Sequence, residues 1–247
     1  MLHKRSIKEK LLKGGAWAFA GKVATAFTAL AVNALLARLL VPEDIGAYFL
    51  ILSLVSVTAI VAQLGLTQTI VRLVAESLAT SRPARARLAV RLAVRLTALG
   101  ALLMAGLLAF GGGAWLADHF FHSQIMSKVM GLAAVWVVIN TFQQLIAEVY
   151  RGFHDIRLAT IFGGLVTGLL AMLIFLGLWL LQGYSDLHQA ILVTVIAGCS
   201  SITLSSLFLL NKLKALPAST DAQLSISDIM MISWPLWVSN LMLFATM

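Results

Sequence analysis

Seven apolar stretches, each close to the roughly 20 residues that a helix needs to cross a bilayer's hydrocarbon core, take up most of this chain. They cover about Gly14 to Ala37, Ile45 to Gly65, Leu96 to Ala117, Val129 to Val149, Ala159 to Gln182, Gln189 to Leu210 and Asp228 to Met247. Hydrocarbon offers no water to backbone N–H and C=O groups, so stretches of this length must satisfy them internally, as helices. The expected fold class is all-α, a polytopic membrane protein. Composition agrees: 60% hydrophobic residues against 11% charged, with a mean hydropathy of +0.95, lies outside the range of soluble domains.

The loops between these stretches carry their positive charge on one side. Fifteen of the eighteen Lys and Arg residues fall in the head (Lys4, Arg5, Lys8, Lys10, Lys13) and in the loops after the second span (Arg72, Arg82, Arg85, Arg87, Arg91, Arg95), the fourth (Arg151, Arg157) and the sixth (Lys212, Lys214). The opposite loops hold Arg38 and Lys128, and Lys22 lies inside the first span. By the positive-inside rule the N-terminus and the even-numbered loops are expected in the cytoplasm. The basic head followed by an apolar stretch resembles a secretory signal, but the stretch has full spanning length and no small-residue cleavage site precedes Pro42, so it reads as a retained helix. Cys199 stands alone, which leaves no disulfide framework and no cysteine metal site.

An odd helix closes the sequence at Met247, as expected where a second lobe opens. Residues 1–211 are therefore read as a six-helix lobe, 212–227 as a cytoplasmic linker, and 228–247 as the first helix of a further lobe. Ser81 to Arg87 is the other expected linker. A faint repeat lays Ser225-Ile226 and Asp228 on Ser6-Ile7 and Glu9, as in transporters built from two similar lobes with the substrate path between them.

Polar residues inside the spans carry the functional signal, because a Lys at the centre of a transmembrane helix costs roughly 2.5–3.5 kcal/mol on insertion scales. Lys22 and Asn33, eleven residues apart, share one helical face with Ala26 and Ala29, and that face is expected to look into the bundle. Snorkelling to headgroups also accounts for a Lys at this depth, although it does not need Asn33 on the same face. On the fourth span Asn140, Gln144 and Glu148 recur every four residues with Arg151 three further on, and Gln143 flanks the stripe. Interhelical hydrogen bonds and a Glu148–Arg151 ion pair explain these equally well. Glu148 is the candidate for proton or sodium coupling. RLAVRLAVRL stacks Arg87, Arg91 and Arg95 on one face, where gripping anionic lipid headgroups at about 1 kcal/mol per charge is the favoured reading and a cationic vestibule the sharper one. His119 and His122 read as solvated loop residues rather than metal ligands, and Gly111 to Gly113 is no phosphate loop. No nucleophile, base and orienting group occur together, so catalysis has no positive support. No cofactor and no nucleic-acid partner are expected.

Four segments carry a family resemblance. ARLLVPEDIGAY (Ala37 to Tyr48), GLTQTIVRLVAE (Gly65 to Glu76), Arg151-Gly152-Phe153 and Trp234-Pro235-Leu236 resemble, in order and spacing, bacterial oligosaccharide (Wzx-type) flippases of the multidrug/oligosaccharidyl-lipid/polysaccharide (MOP) superfamily. Val41 departs from the glycine common before the Pro-Glu pair. The resemblance implies two six-helix bundles in a V, in the bacterial inner membrane, carrying an undecaprenyl-diphosphate-linked oligosaccharide to the outer leaflet. It implies that Lys22, with Arg91, Arg95 and Arg151 towards the mouth, meets the diphosphate, and that Asn33, Asn140 and Gln144 hydrogen-bond sugars. Anionic lipids and other polysaccharide assembly proteins are the implied partners. Three alternatives stay open: a cation or drug exporter of the same superfamily, which would want an acidic cavity; a membrane-embedded polymerase or acyltransferase, which would want a large outer loop; and an inactive half-transporter.

Overall fold

The computed structural model describes residues 2–112, 124–217 and 226–245. The His119–His122 pair, Gly113 and the 218–225 part of the linker lie outside the described residues. Among the described residues eight helices follow one another: α1 (Leu2–Leu39), α2 (Pro42–Gln63), α3 (Leu66–Ala79), α4 (Pro83–Leu107, extended by a π-helical turn Leu108–Gly112), α5 (Gln124–Gly152), α6 (Ile156–Leu181), α7 (Leu187–Lys214) and α8 (Ile226–Ala245). Six contain segments long and apolar enough to cross a membrane: Gly15–Leu39, Pro42–Gln63, Pro83–Phe110, Val129–Gly152, Ile156–Leu181 and Leu187–Lys214. The protein is a multi-pass membrane protein.

Local chemistry sets the boundaries. Pro42 occupies the first turn of α2, where its missing N–H is harmless, and Glu43 and Asp44 complement the positive helix start. α2 stops where Leu64 (φ 50°) and Gly65 (φ 71°) turn left-handed. A β-carbon on Gly65 would also lie 2.5 Å from the Ser233 carbonyl oxygen of α8, so both backbone and space require glycine there. Ser233 donates to Thr69 Oγ1 (2.9 Å), seating α8 on α3 beside that corner.

The stretch expected as a basic loop after the second span is largely helical. α3 has 14 residues, too few to span, and buries Leu66, Ile70, Leu73, Val74 and Ser77 while exposing Arg72 and Glu76. Only Thr80 to Arg82 separate it from α4, which Pro83 starts thirteen residues before the expected third span. The reason is that Ala86, Ala89, Val90 and Ala93 between the arginines are buried, so this end of α4 packs on one face and is solvated on the other. Ser81 to Arg87 is thus a tight corner and a helix start.

α5 is the central helix, touching α2, α3, α4, α6 and α7. Two apolar cores stack along it. One gathers Leu36, Tyr48, Ile51, Val55, Val137, Phe175 and Ile191 at the end where α1 turns into α2; the other gathers Ile70, Val74, Val90, Leu145, Tyr150, Phe162 and Leu209 at the end rich in Arg and Lys, hereafter the basic end. Helices immersed in acyl chains gain little by burying more aliphatic surface, so close backbone approach at small residues does much of the joining. Gly21 meets Thr160, Gly168 meets Thr28 and Gly164 (φ 149°) meets Thr25 along the α1–α6 seam. Gly164 lies in a π-helical turn, Ile161–Leu165, that breaks the regular ladder of α6.

Gly100 of α4 faces the Ala62 carbonyl of α2 so closely that no β-carbon fits. Gly100→Ala is expected to cost about 1–3 kcal/mol by overpacking against backbone. The measurement is the thermal unfolding midpoint of the detergent-solubilised protein, with Gly131→Ala, whose added carbon meets nothing within 4 Å, expected to hold the wild-type midpoint.

Candidate functional site

α1 carries three stripes set by the 100° step of the helix. Thr25, Thr28, Val32 and Leu36 face α6 and the core; Phe19, Val23, Phe27 and Leu30 are exposed and apolar; Lys22, Ala26, Ala29 and Asn33 form a stripe between these two. The shared face expected from the sequence exists, but all four of its residues are exposed and not inside the six-helix packing. The physical reason is the small-residue seam, which turns the Thr25–Thr28 side of α1 onto α6 and leaves the adjacent polar side uncovered.

The polar stripe of α5 forms a hydrogen-bonded relay. Gln63 of α2 donates from Nε2 to Gln144 Oε1 (2.8 Å), Gln144 donates from Nε2 to Asn140 Oδ1 (2.8 Å), and Gln143 donates to Thr167 Oγ1 of α6 (2.9 Å). Gln144 is exposed although Gln63 and Leu145 beside it are buried. Both α2 and α6 pack on α5 beside it, while α1 leans on α6 and makes little contact with α2. Glu148 accepts from Arg151 in an ion pair, so its carboxylate is already matched by a cation. The interhelical bonding and the Glu148–Arg151 pair read from the sequence are both present. Gln63 was not singled out there; its signal is an amide at the last position of an apolar helix, directly before a left-handed glycine corner.

Arg91 and Arg95 do not join this relay. With Arg87 they line a cleft of about 480 Å³ between α4, α5 and α7, closed by Phe142, Ile146, Leu209 and Lys214. Phe142 and Ile146 stand two residues either side of Gln144, about 200° away on α5, so the cleft and the amide relay occupy opposite faces of the central helix. The expected set therefore divides into the α1 stripe, the α5 relay with Arg151, and the α4 arginines.

A clasp fastens the α5–α6 corner to the end of α7. Lys212 Nζ lies 2.9 Å from Asp155 Oδ2 and over the rings of Phe153 (5.1 Å) and Tyr150 (5.8 Å), while Tyr150 donates to the Ser205 carbonyl (2.8 Å). Asp155 also caps α6 by accepting from Leu158 N–H, and Arg157 sits over Trp17 of α1 (5.5 Å). Partial burial by itself would raise the Asp155 pKa, but the Lys212 hydrogen bond, the Leu158 N–H and the charges of Lys212 and Arg157 together hold the carboxyl below the ordinary carboxylate value. The sequence reading counted Lys212 and Arg157 only as topological charges; their partners are distant in sequence and left no local pattern.

Comparison with known proteins places these features in a family context. The family described as "Polysaccharide biosynthesis protein" matches residues 11–246. Among solved structures, a MOP superfamily transporter from Pyrococcus furiosus Vc1 (DSM3638), described as having a binding pocket of reverse polarity that suggests a different function, aligns with a TM-score of 0.64 at 16% identity, over 92% of this chain and 51% of that one. The present chain thus spans about half the length of that transporter and shares its fold over that half. No curated protein matches the chain.

The clasp can be tested without a substrate. Asp155→Asn keeps the capping acceptor but removes the ion pair, and it is expected to lower the unfolding midpoint at pH 7 by an amount equivalent to about 0.2–1 kcal/mol. Because the carboxyl is depressed in the folded state, its stabilisation is fully present above the unfolded value of about 3.9 and is lost as pH falls through the lower folded value. Midpoints of wild type and variant measured from pH 7 downward should converge only in that acidic window.

Proposed function

Because the chain belongs to the polysaccharide biosynthesis protein family, we propose that it forms one half of a flippase for lipid-linked oligosaccharides, moving undecaprenyl-diphosphate-linked sugars from the cytoplasmic to the outer leaflet of a bacterial inner membrane. A lipid tail can stay in the bilayer while its charged head crosses, so such a protein needs a hydrated polar path and no reaction centre. The observation that carries the reading is the exposed stripe of Lys22, Ala26, Ala29 and Asn33 on an otherwise apolar α1. An ammonium and an amide left uncovered at membrane depth need a partner that is neither acyl chain nor this lobe's own core.

In the mechanism, Lys22 meets the diphosphate, and Asn33 with the Asn140–Gln144 relay offers donors and acceptors to sugar hydroxyls. Arg151, half-exposed at the end of α5, contributes positive charge at the entrance while held by Glu148. The basic end faces the cytoplasm, where the substrate is made, and a second lobe following a linker at about 212–227 supplies the other wall. The small residues Ala26 and Ala29 leave room for a bulky head to approach α1 closely. A cation exporter is less well supported, since an acidic cavity is what it needs and Glu148 is paired with Arg151.

In cells that depend on this protein for surface polysaccharide, Lys22→Ala is expected to cut surface polysaccharide roughly tenfold or more, the range for losing a charge-assisted hydrogen bond, at unchanged abundance in the membrane. Lys22→Arg should retain most of it. Normal polysaccharide in Lys22→Ala cells removes Lys22 from the path. Orientation has its own test: in a Cys199→Ser background, Arg82→Cys at the α3–α4 corner should react with an impermeant maleimide in inverted vesicles and stay unlabelled in intact spheroplasts. Labelling in spheroplasts would reverse the assignment.

A further inference from the structure

The cleft between α4, α5 and α7 has a composition that the flippase reading does not use. Three of its lining residues, Arg87, Arg91 and Arg95, stand one turn apart on α4, and Lys214 faces them from the last turn of α7. Among the described residues no carboxylate lines it. Among the described residues none of these four cations makes an ion pair, whereas the neighbouring Arg85 reaches Glu76 at 4.0 Å. Arg87 donates to the Leu216 carbonyl (3.0 Å), which fixes the exit of α7 against α4, and its Nε is buried without a hydrogen-bond partner. A buried donor of this kind marks a place where an acceptor is missing.

Apart from Ser206 the remaining lining is apolar: Val94, Phe142, Ile146 and Leu210 are representative. The three arginines run for two turns along one wall, alternating with Val90 and Val94 and facing the apolar side chains of α5 and α7, and this pairing of cationic and aliphatic groups suits an amphiphile, not a free anion. The volume, about 480 Å³, lies within the roughly 300–1,000 Å³ of small-molecule sites. Helices α4 and α7 touch each other little apart from the Arg87–Leu216 bond, although both pack on α5. Basic pockets of this kind between transmembrane helices receive anionic lipid headgroups.

We propose that this cleft holds a resident anionic glycerophospholipid, its phosphate among Arg87, Arg91, Arg95 and Lys214 and the upper part of an acyl chain along Val94, Phe142 and Leu210. The lipid bridges α4 and α7 where protein contact is thin. The site lies on the face of α5 opposite the Gln63–Gln144–Asn140 relay, so it is independent of the substrate path and of the flippase reading.

Native mass spectrometry of the purified protein in neutral detergent, titrated with phosphatidylglycerol or with phosphatidylcholine of the same chains, tests the proposal. Wild type is expected to retain phosphatidylglycerol at least tenfold more tightly than phosphatidylcholine. The exposed pair Arg91→Gln/Arg95→Gln should weaken that binding roughly 30-fold, from about fivefold per charge, and Arg91→Lys/Arg95→Lys should keep most of it. Leu210→Trp, at a half-exposed lining position, fills the cleft while keeping every charge and should also release the lipid. Equal retention of the two lipids, full retention by the double glutamine variant, or unchanged binding in Leu210→Trp would overturn it. Displacement by millimolar inorganic phosphate would overturn it too, since that outcome describes a plain anion site.

Discussion

Close backbone approach at glycine, alanine and threonine is the constraint on which this structure depends. Acyl chains solvate leucine as well as another helix does, so contact must come from shape. Gly21 with Thr160, Gly168 with Thr28, Gly100 with Ala62 and Gly198 with Ile139 are places where an added carbon would collide. These positions decide which side of each helix faces inward. Having turned its threonine side onto α6, α1 has no freedom to bury Lys22 and Asn33, and the polar stripe that follows is a consequence of the seam. The same logic makes α5 the axis, since five helices can reach it only by dividing its circumference between them.

Much of the architecture was legible in the sequence, and the reasons differ by element. Spanning helices announce themselves through length and hydropathy, because hydrocarbon imposes one requirement on all of them. Lys22 and Asn33 fall on one face by helical geometry alone. α3 was not legible in the same way: its apolar residues are diluted by Thr67, Gln68, Arg72 and Glu76, and a helix of 14 residues lacks the length signal. The start of α4 was hidden because arginines every four residues look like a loop to a hydropathy count, yet leave Ala86, Ala89, Val90 and Ala93 on a packed face.

The candidate site was legible residue by residue but not in its grouping. Asn140 and Gln144 share a face with Glu148 by spacing, and the relay to Gln63 follows only once α2 is placed against α5. Arg91 and Arg95 were grouped with the amides because all lie towards the same end of the chain's topology. That they stand across α5 from Gln144 is a fact of packing that no one-dimensional pattern carries. The Asp155–Lys212 clasp is of the same kind, joining residues 57 apart.

The break in α6 constrains what can lie beside it. At Gly164 the chain leaves helical geometry within a membrane-spanning segment, and irregular backbone at such depth is tolerated only beside protein or water. Thr25 of α1 stands against that break. Peeling the first helix away would bare an interrupted ladder to oil, so the irregular turn of α6 and the threonine side of α1 are each other's shelter.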